Sequence, residues 1–404
     1  MNKLAIFSWA LYDLANQFFA LNIVSLYFVR WLTLEKNCPE IFYSIAFGVS
    51  LFLVAILGPI LGEWADKTYR HRRFLIYFTF MAIGFTLLLG VSKEVGLNLV
   101  FFSLANMGVQ MGVIFYNSLL AYVTSSEKIG FISGLGRMFG YLGAILALYL
   151  SKPIFLSKGY RGVFFLTGVL FLIFSLPCML FVKERREVFK EKSFLEKEKF
   201  CKIFHQAKKF LSSGSTDFLN LLKSTFFMFA AVNVVILFMS VYATKVFGLS
   251  EVEIINLIIF STFFALGGSL FFGFLSDYIG YRVSLLVVFT LWGVCFLGGA
   301  FLSASFVWMI GGLAGLSLGG TWVVTRALVI RLVKKERLGL AFGLFNLVGY
   351  LSGIVGPLFW GLILFFTSSW GQLSYRTALL SLILFILLSL IFLLRLPKRP
   401  LEII

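Results

Sequence analysis

The chain has 404 residues, 60% of them hydrophobic and 13% charged, with a mean hydropathy of +0.97. A soluble domain carries about 25% charged residues. Here the apolar excess comes in runs of about 20 residues, long enough to cross a bilayer, so a soluble globular chain is excluded. The net charge of +17 raises nucleic acid as a partner, but most of that charge sits in alternate loops, the pattern of a membrane protein with its positive loops on one side.

Twelve spans are predicted, at roughly 4–30, 41–64, 74–92, 97–123, 130–151, 161–182, 221–246, 252–276, 283–303, 305–331, 338–366 and 375–396. The first carries Asp13, Asn16 and Gln17 and has no small-residue cleavage pattern, so it reads as an uncleaved helix and not a signal peptide. Asp13 is the only acidic residue well inside a span. Asn16 and Gln17 follow at i+3 and i+4, on the same helical face. An ionised side chain at mid-bilayer costs about 2.5–3.5 kcal/mol on the insertion scale, so it faces a partner or a cavity. Asp13 is therefore either a proton or substrate-ammonium site, or a carboxylate that braces span 1 against a neighbour.

Span 2 ends in Gly62-x-x-x-Asp66-Lys67-x-x-Arg70-x-Arg72-Arg73. Span 4 carries Asn106, Gln110 and Asn117, which at 100° per residue fall within about 40° of one another. With Ser103 they form a polar stripe that either lines a water-filled cavity or bonds to a neighbouring helix. Span 5 holds Gly134, Gly136, Gly140 and Gly143, with Arg137 among them, and lacks the Gly-Pro pair of drug antiporters. The segment 183–220 is basic and places Phe189, Phe200, Ile203, Phe204, Phe210 and Leu211 at helical spacing. It reads as a solvated tether, or as an interfacial helix that meets lipid or a partner.

Span 7 repeats the polar stripe with Asn233, Ser240 and Thr244, and span 8 ends in Gly273-x-x-x-Asp277-x-x-Gly280-x-Arg282. Arg326 in span 10, like Arg137, either binds a substrate carboxylate or pairs with Asp66 or Asp277 in a gate. Asn346 in span 11 joins the candidate path, and Gly58-Pro59 and Gly356-Pro357 are sites of bending.

Two echoes relate the halves of the chain. Gly62-Glu63-Trp64-Ala65-Asp66 matches Gly273-Phe274-Leu275-Ser276-Asp277, and Phe139-Gly140-Tyr141-Leu142 matches Val348-Gly349-Tyr350-Leu351, at nearly one offset. Parallel repeats of six spans with a basic linker are a transporter architecture. The expected organisation is a six-helix bundle over 1–182, a linker over 183–220 and a second bundle over 221–404. With the N-terminus inside, the inner segments hold 23 Lys and Arg against four in the outer loops, which places both termini in the cytoplasm.

The loop after span 2 resembles the signature of the major facilitator superfamily, Gly-x-x-x-Asp-Arg-x-Gly-Arg-Arg, with Tyr69 where the signature has Gly. The opening Ser8-Trp9-Ala10-Leu11-Tyr12-Asp13-Leu14-Ala15-Asn16 resembles that of a narrower branch, that of the autophagy-related vacuolar amino-acid effluxer and its prokaryotic relatives. Gly319-Gly320-Thr321, Arg326, Phe342-Gly343-Leu344-Phe345-Asn346, Ser352 and Gly356-Pro357-Leu358 are similar to the same branch. Leu14, Gln17, Trp322 and Leu340 depart from it.

The resemblance implies an all-α transporter of two six-helix bundles, working by alternating access, whose paired Asp66 and Asp277 latch the cytoplasmic side against helix N-termini. The implied substrate is an amino acid or similar small polar solute. No phosphate loop is present, so an ion gradient, of protons or sodium, is the expected drive, with a pure facilitator as the alternative. A drug or lipid exporter of the same fold and a non-transporting receptor or scaffold are the alternatives. Cys38, Cys178, Cys201 and Cys295 are widely spaced, and the two histidines, His71 and His205, lie in basic loops, so no metal site, cofactor or enzymatic centre is expected. The expected setting is a monomer in the plasma membrane, with the bilayer and a small solute as partners and no nucleic acid.

Overall fold

The structure is a computed structural model that describes residues 3–68, 70–123, 129–184, 216–333 and 338–396. Among them, twelve helices and no strands are found. The helices are α1 (Lys3–Glu35), α2 (Glu40–Thr68), α3 (His71–Leu88), α4 (Val95–Val123), α5 and α6 (within Ile129–Phe181), α7 (Thr216–Phe247), α8 (Glu251–Ile279), α9 (Tyr281–Phe301), α10 (Val307–Leu332), α11 (Leu338–Phe366) and α12 (Gln372–Leu394). The α5–α6 fold-back is made at Gly159, whose φ of 64° and ψ of −161° only a residue without a Cβ adopts freely. Gly280, from the second loop motif, likewise has φ 90°, where it starts α9. Its counterpart in the first loop, Tyr69, lies outside the described residues.

Among the described residues, ten stretches are long and apolar enough to cross a membrane; one of them, Met138–Phe181, contains the Gly159 turn, and α3 completes the twelve. The side chains agree with a lipid setting. On α8, Leu270, Phe274 and Tyr278 are 80%, 75% and 82% exposed, a row that water would penalise and hydrocarbon accepts.

The first helix runs further than its sequence suggests. It was expected to end at 30 but continues to Glu35, because Trp31 and Leu32 remain buried and the first exposed charges come after them. Two π-turns interrupt it, Ala20–Leu26 and Trp31–Glu35, each widening the helix by an extra residue per turn.

The chain packs as two compact units, one of Met1–Arg186, Val234–Ile259 and Ile354–Tyr375, the other of Glu187–Asn233, Phe260–Gly353 and Arg376–Ile404. In the first, α1 lies along the glycine face of α5. A Cβ on Gly136 would come 2.7 Å from the Trp9 ring, and one on Gly143 would come 2.6 Å from the carbonyl oxygen of Leu14. Small residues thus set the helix spacing, as expected where lipid gives no hydrophobic drive between helices. Leu14, Phe18 and Ala147 form the core of this seam, with Leu170 and Phe174 of α6 against them. In the second unit, Trp292 of α9 donates its indole N–H to the Thr321 hydroxyl of α10 at 3.0 Å.

Candidate functional site

The polar residues of α1 fall at three levels. At the first, Trp9 donates to the Tyr116 carbonyl at 3.1 Å and stacks on the Tyr116 ring, while Tyr12 also stacks on that ring and shares a 2.8 Å bond with the Thr79 hydroxyl. This aromatic ladder fixes the rotation of α1 against α3 and α4. The fixed rotation turns Asp13 and Gln17 towards Gly140 of α5: a Cβ there would lie 3.5 Å from Asp13 Oδ2 and 3.7 Å from Gln17 Nε2. Asn16, one residue before Gln17, is 6% exposed, and both atoms of its amide lack a hydrogen-bond partner. An unpaired buried amide costs about 1–3 kcal/mol, so this level holds polar capacity that its own helices leave unused.

At the second level, Asn22 sits in the first π-turn and donates to the hydroxyls of Ser151 and Thr167 at 2.7 and 2.9 Å. At the third, Arg30 is 1% exposed. Its guanidinium donates to the Ser240 carbonyl at 2.8 Å and the Thr244 hydroxyl at 2.7 Å, and pairs with Glu251 at 2.6 Å. The Tyr160 hydroxyl donates to the same Glu251 oxygen at 2.9 Å. Nearby, Tyr375 donates to the buried Glu40 carboxylate, and Glu40, Lys245, Gln372, Ser374 and Tyr375 line a cavity of about 400 Å³. None of Asn22, Arg30, Glu40 and Glu251 stood out in the sequence.

The other sequence candidates are dispersed. Asn106 is buried and donates to the Ser50 hydroxyl of α2 at 2.7 Å, and Ser103 donates to the Ala46 carbonyl, so this end of the α4 stripe bonds to a helix. Gln110 is half-buried and Asn117 exposed. Asn233 donates to the Phe229 carbonyl of its own helix, while Ser240 and Thr244 of the same stripe face α1. Arg326 and Asn346 are exposed on α10 and α11. Trp322 packs its ring against Phe229, with centroids 4.9 Å apart.

In the loop motifs, Arg70 and Arg73 are exposed, whereas Arg72 donates to the Met179 carbonyl near the end of α6 at 2.6 Å. Its backbone N–H donates to Glu184, which His71 also approaches at 3.3 Å. Arg282, in the second copy, donates to the Leu394 carbonyl at the end of α12 at 2.8 Å. Both arginines therefore supply donors to the unsatisfied carbonyls that close a six-helix set, at corresponding places in the two sequence repeats. A Cβ on Gly273 would meet Val323 at an ordinary 3.6 Å, and one on Gly62 would meet no described atom within 4 Å, so neither glycine marks a tight helix crossing. The side chains of Asp66, Lys67, Asp277 and Arg137, and the whole of 185–215, lie outside the described residues. Among the described residues no group of three or more His, Cys, Asp and Glu is placed to hold a metal ion.

The family model of the Major Facilitator Superfamily matches residues 14–268 and 221–403. A protein of Aquifex aeolicus (strain VF5), described only as uncharacterized, is 30% identical over 91% of each chain. The "Uncharacterized MFS-type transporter YxiO" of Bacillus subtilis (strain 168) is 24% identical over 97% of this chain and 94% of its own. Two solved structures share the fold. One is a bacterial homologue of the human lysosomal transporter Spinster, inward-facing and unoccupied, with a TM-score of 0.74 at 16% identity and 97% coverage of both chains. The other is a point mutant of the nucleoside transporter NupG, with a TM-score of 0.78 at 12% identity, covering 97% of this chain and 98% of that one. The twelve apolar helices and the family match lead to one conclusion: the chain is an integral membrane transporter, not an enzyme, and belongs to the Major Facilitator Superfamily.

Proposed function

We propose that the chain moves an amino acid or similar small zwitterion by alternating access, driven by a proton or sodium gradient. The observation that carries this is the first level of α1. Asp13 and Gln17 pack against Gly140 of α5, and Asn16 keeps a buried amide unpaired beside them. A carboxylate that can take up and release a proton, set beside amides that can hydrogen-bond a polar solute, suits a proton-coupled transporter.

In this reading 1–182 and 221–404 are the two bundles that rock about the site, and 183–220 is the tether. Both termini lie in the cytoplasm, a single chain works alone in the plasma membrane, and Asp66 and Asp277 latch the cytoplasmic face. Arg137, Arg326 and Asn346 join the candidate path, each arginine either pairing with Asp66 or Asp277 in a gate or binding a solute carboxylate. The purified chain in vesicles, offered a panel of radiolabelled amino acids, sugars and nucleosides with and without an imposed pH or sodium gradient, tests the reading. Gradient-dependent accumulation of an amino acid is expected. Accumulation of only sugars or nucleosides, or none of any solute, would overturn the substrate class.

A further inference from the structure

We propose that Arg30 and Glu251, with Tyr160, Ser240 and Thr244, form the latch that holds the outer face shut and that breaks once in each transport cycle. The inference rests on the alternating-access reading above. The cluster joins α1 and α6 to α7 and α8, so it ties helices of the first sequence repeat to helices of the second, all within one compact unit. It lies where α1 ends, α6 begins, α7 ends and α8 begins, which is one membrane face.

Three features distinguish it from a permanent brace. The polar groups are only partly satisfied: Arg30 Nε and Glu251 Oε2 are buried and lack hydrogen-bond partners. A buried charge network that never opens is costly unless fully bonded, whereas unused donors and acceptors are what a second arrangement needs. The backbone beneath Arg30 is also built to bend, since π-turns flank it on both sides and Leu26 has an irregular φ of −126° and ψ of −79°. Finally, other described bonds across this face are separable without stranding a second full charge pair: Ser44 donates to the Pro357 carbonyl, Ser240 to the Ser25 carbonyl, Lys152 to Asn256 and Tyr375 to Glu40. Tyr375 also bonds the Glu40 carboxylate across this face, but Arg30–Glu251 is the tie among these that pairs two opposite charges, and its rupture is the step that shifts the balance between states.

The Lys152–Asn256 contact, 3.3 Å and exposed, reports the closed face without touching the latch. In a background with Cys38→Ser and Cys201→Ser, the pair Lys152→Cys and Asn256→Cys is treated in native membranes with a short bifunctional thiol reagent. The parent should cross-link readily. Arg30→Gln, Glu251→Gln and the double variant, which removes both charges together and strands neither, should each lower the yield at least about fivefold, the lower range of a coupling between distinct states. The double should lose no more than either single. Where the charge variants fail to fold, Tyr160→Phe combined with Thr244→Val keeps both charges and should still lower the yield. Parent-like cross-linking in a folded double variant, or in the Tyr160/Thr244 variant when that is the one that folds, overturns the latch. Solute flux with unshifted cross-linking would retire the latch alone; shifted cross-linking with flux of sugars or nucleosides only would retire the amino-acid reading and leave the latch standing.

Discussion

Gly140 and Gly143 stand one turn apart on α5, facing α1, and alanine should affect them in opposite ways. A Cβ on Gly143 would lie 2.6 Å from the Leu14 carbonyl oxygen and 2.9 Å from its Cα, backbone atoms that cannot rotate aside. Overpacking of this kind costs about 1–3 kcal/mol, against about 0.5–1 kcal/mol that alanine gains over glycine in a helix. The net expectation for Gly143→Ala is a loss of about 1–2 kcal/mol. At Gly140 the nearest atoms are Asp13 Oδ2 at 3.5 Å, Asp13 Cγ at 3.6 Å and Gln17 Nε2 at 3.7 Å, all ordinary contacts. There the helical gain of about 0.5–1 kcal/mol stands, while the new methyl covers the carboxylate. Gly140→Ala should therefore melt at or above the parent in detergent yet transport poorly, and Gly143→Ala should melt below it. Thermal unfolding of both proteins, with uptake measured in vesicles, checks the pair. A Gly143→Ala protein as stable as the parent would refute the seam geometry. Parent-like uptake by Gly140→Ala would count against a role for Asp13 in the path.

Other outcomes follow from the same geometry. Arg72→Ala and Arg282→Ala each remove a donor from the last carbonyls of α6 or α12. Each should cost about 0.3–1 kcal/mol and add independently, measurable by thermal unfolding of the single and double variants. Asp66→Cys should cross-link to a cysteine near Leu338 only when the cytoplasmic face is closed; absence of the cross-link while outward-open markers are present would remove the latch assigned to Asp66. Cys38 lies between α1 and α2, where burial first and then the Glu40 carboxylate push its thiol above the usual value. The thiolate is the reactive form, so maleimide labelling at pH 7 should be slower than at an exposed Lys152→Cys and should accelerate as the pH rises.

The twelve spans were legible in the sequence because apolar length is a local property, and the loop motifs because they are contiguous. The glycine run in α5 was visible too, and the structure gives its purpose as the bed of α1. What sequence reading passed over was Arg30. Its partners Ser240, Thr244 and Glu251 lie more than 200 residues away, a separation that periodicity cannot register. A signal existed nevertheless: Arg30 stands inside Tyr27-Phe28-Val29-Arg30-Trp31-Leu32. Extending the first span to Glu35 would have applied to it the rule for ionisable groups in a membrane that singled out Asp13. Asn106 teaches the complementary point. A helical wheel groups it with Gln110 and Asn117, but which member meets Ser50 and which stays exposed depends on the neighbouring helix.

The central claim, an ion-coupled transporter with Asp13 in its path, is tested most directly by Asp13→Asn in vesicles loaded for two assays on the same preparation, once the amino-acid panel has identified a transported species. Counterflow exchange needs substrate binding and alternation but no net coupling, whereas accumulation against a gradient needs the coupling proton. With folding and melting at parental levels, Asp13→Asn should keep counterflow and lose accumulation driven by an imposed pH gradient. Accumulation at the parental rate in that variant would contradict the account.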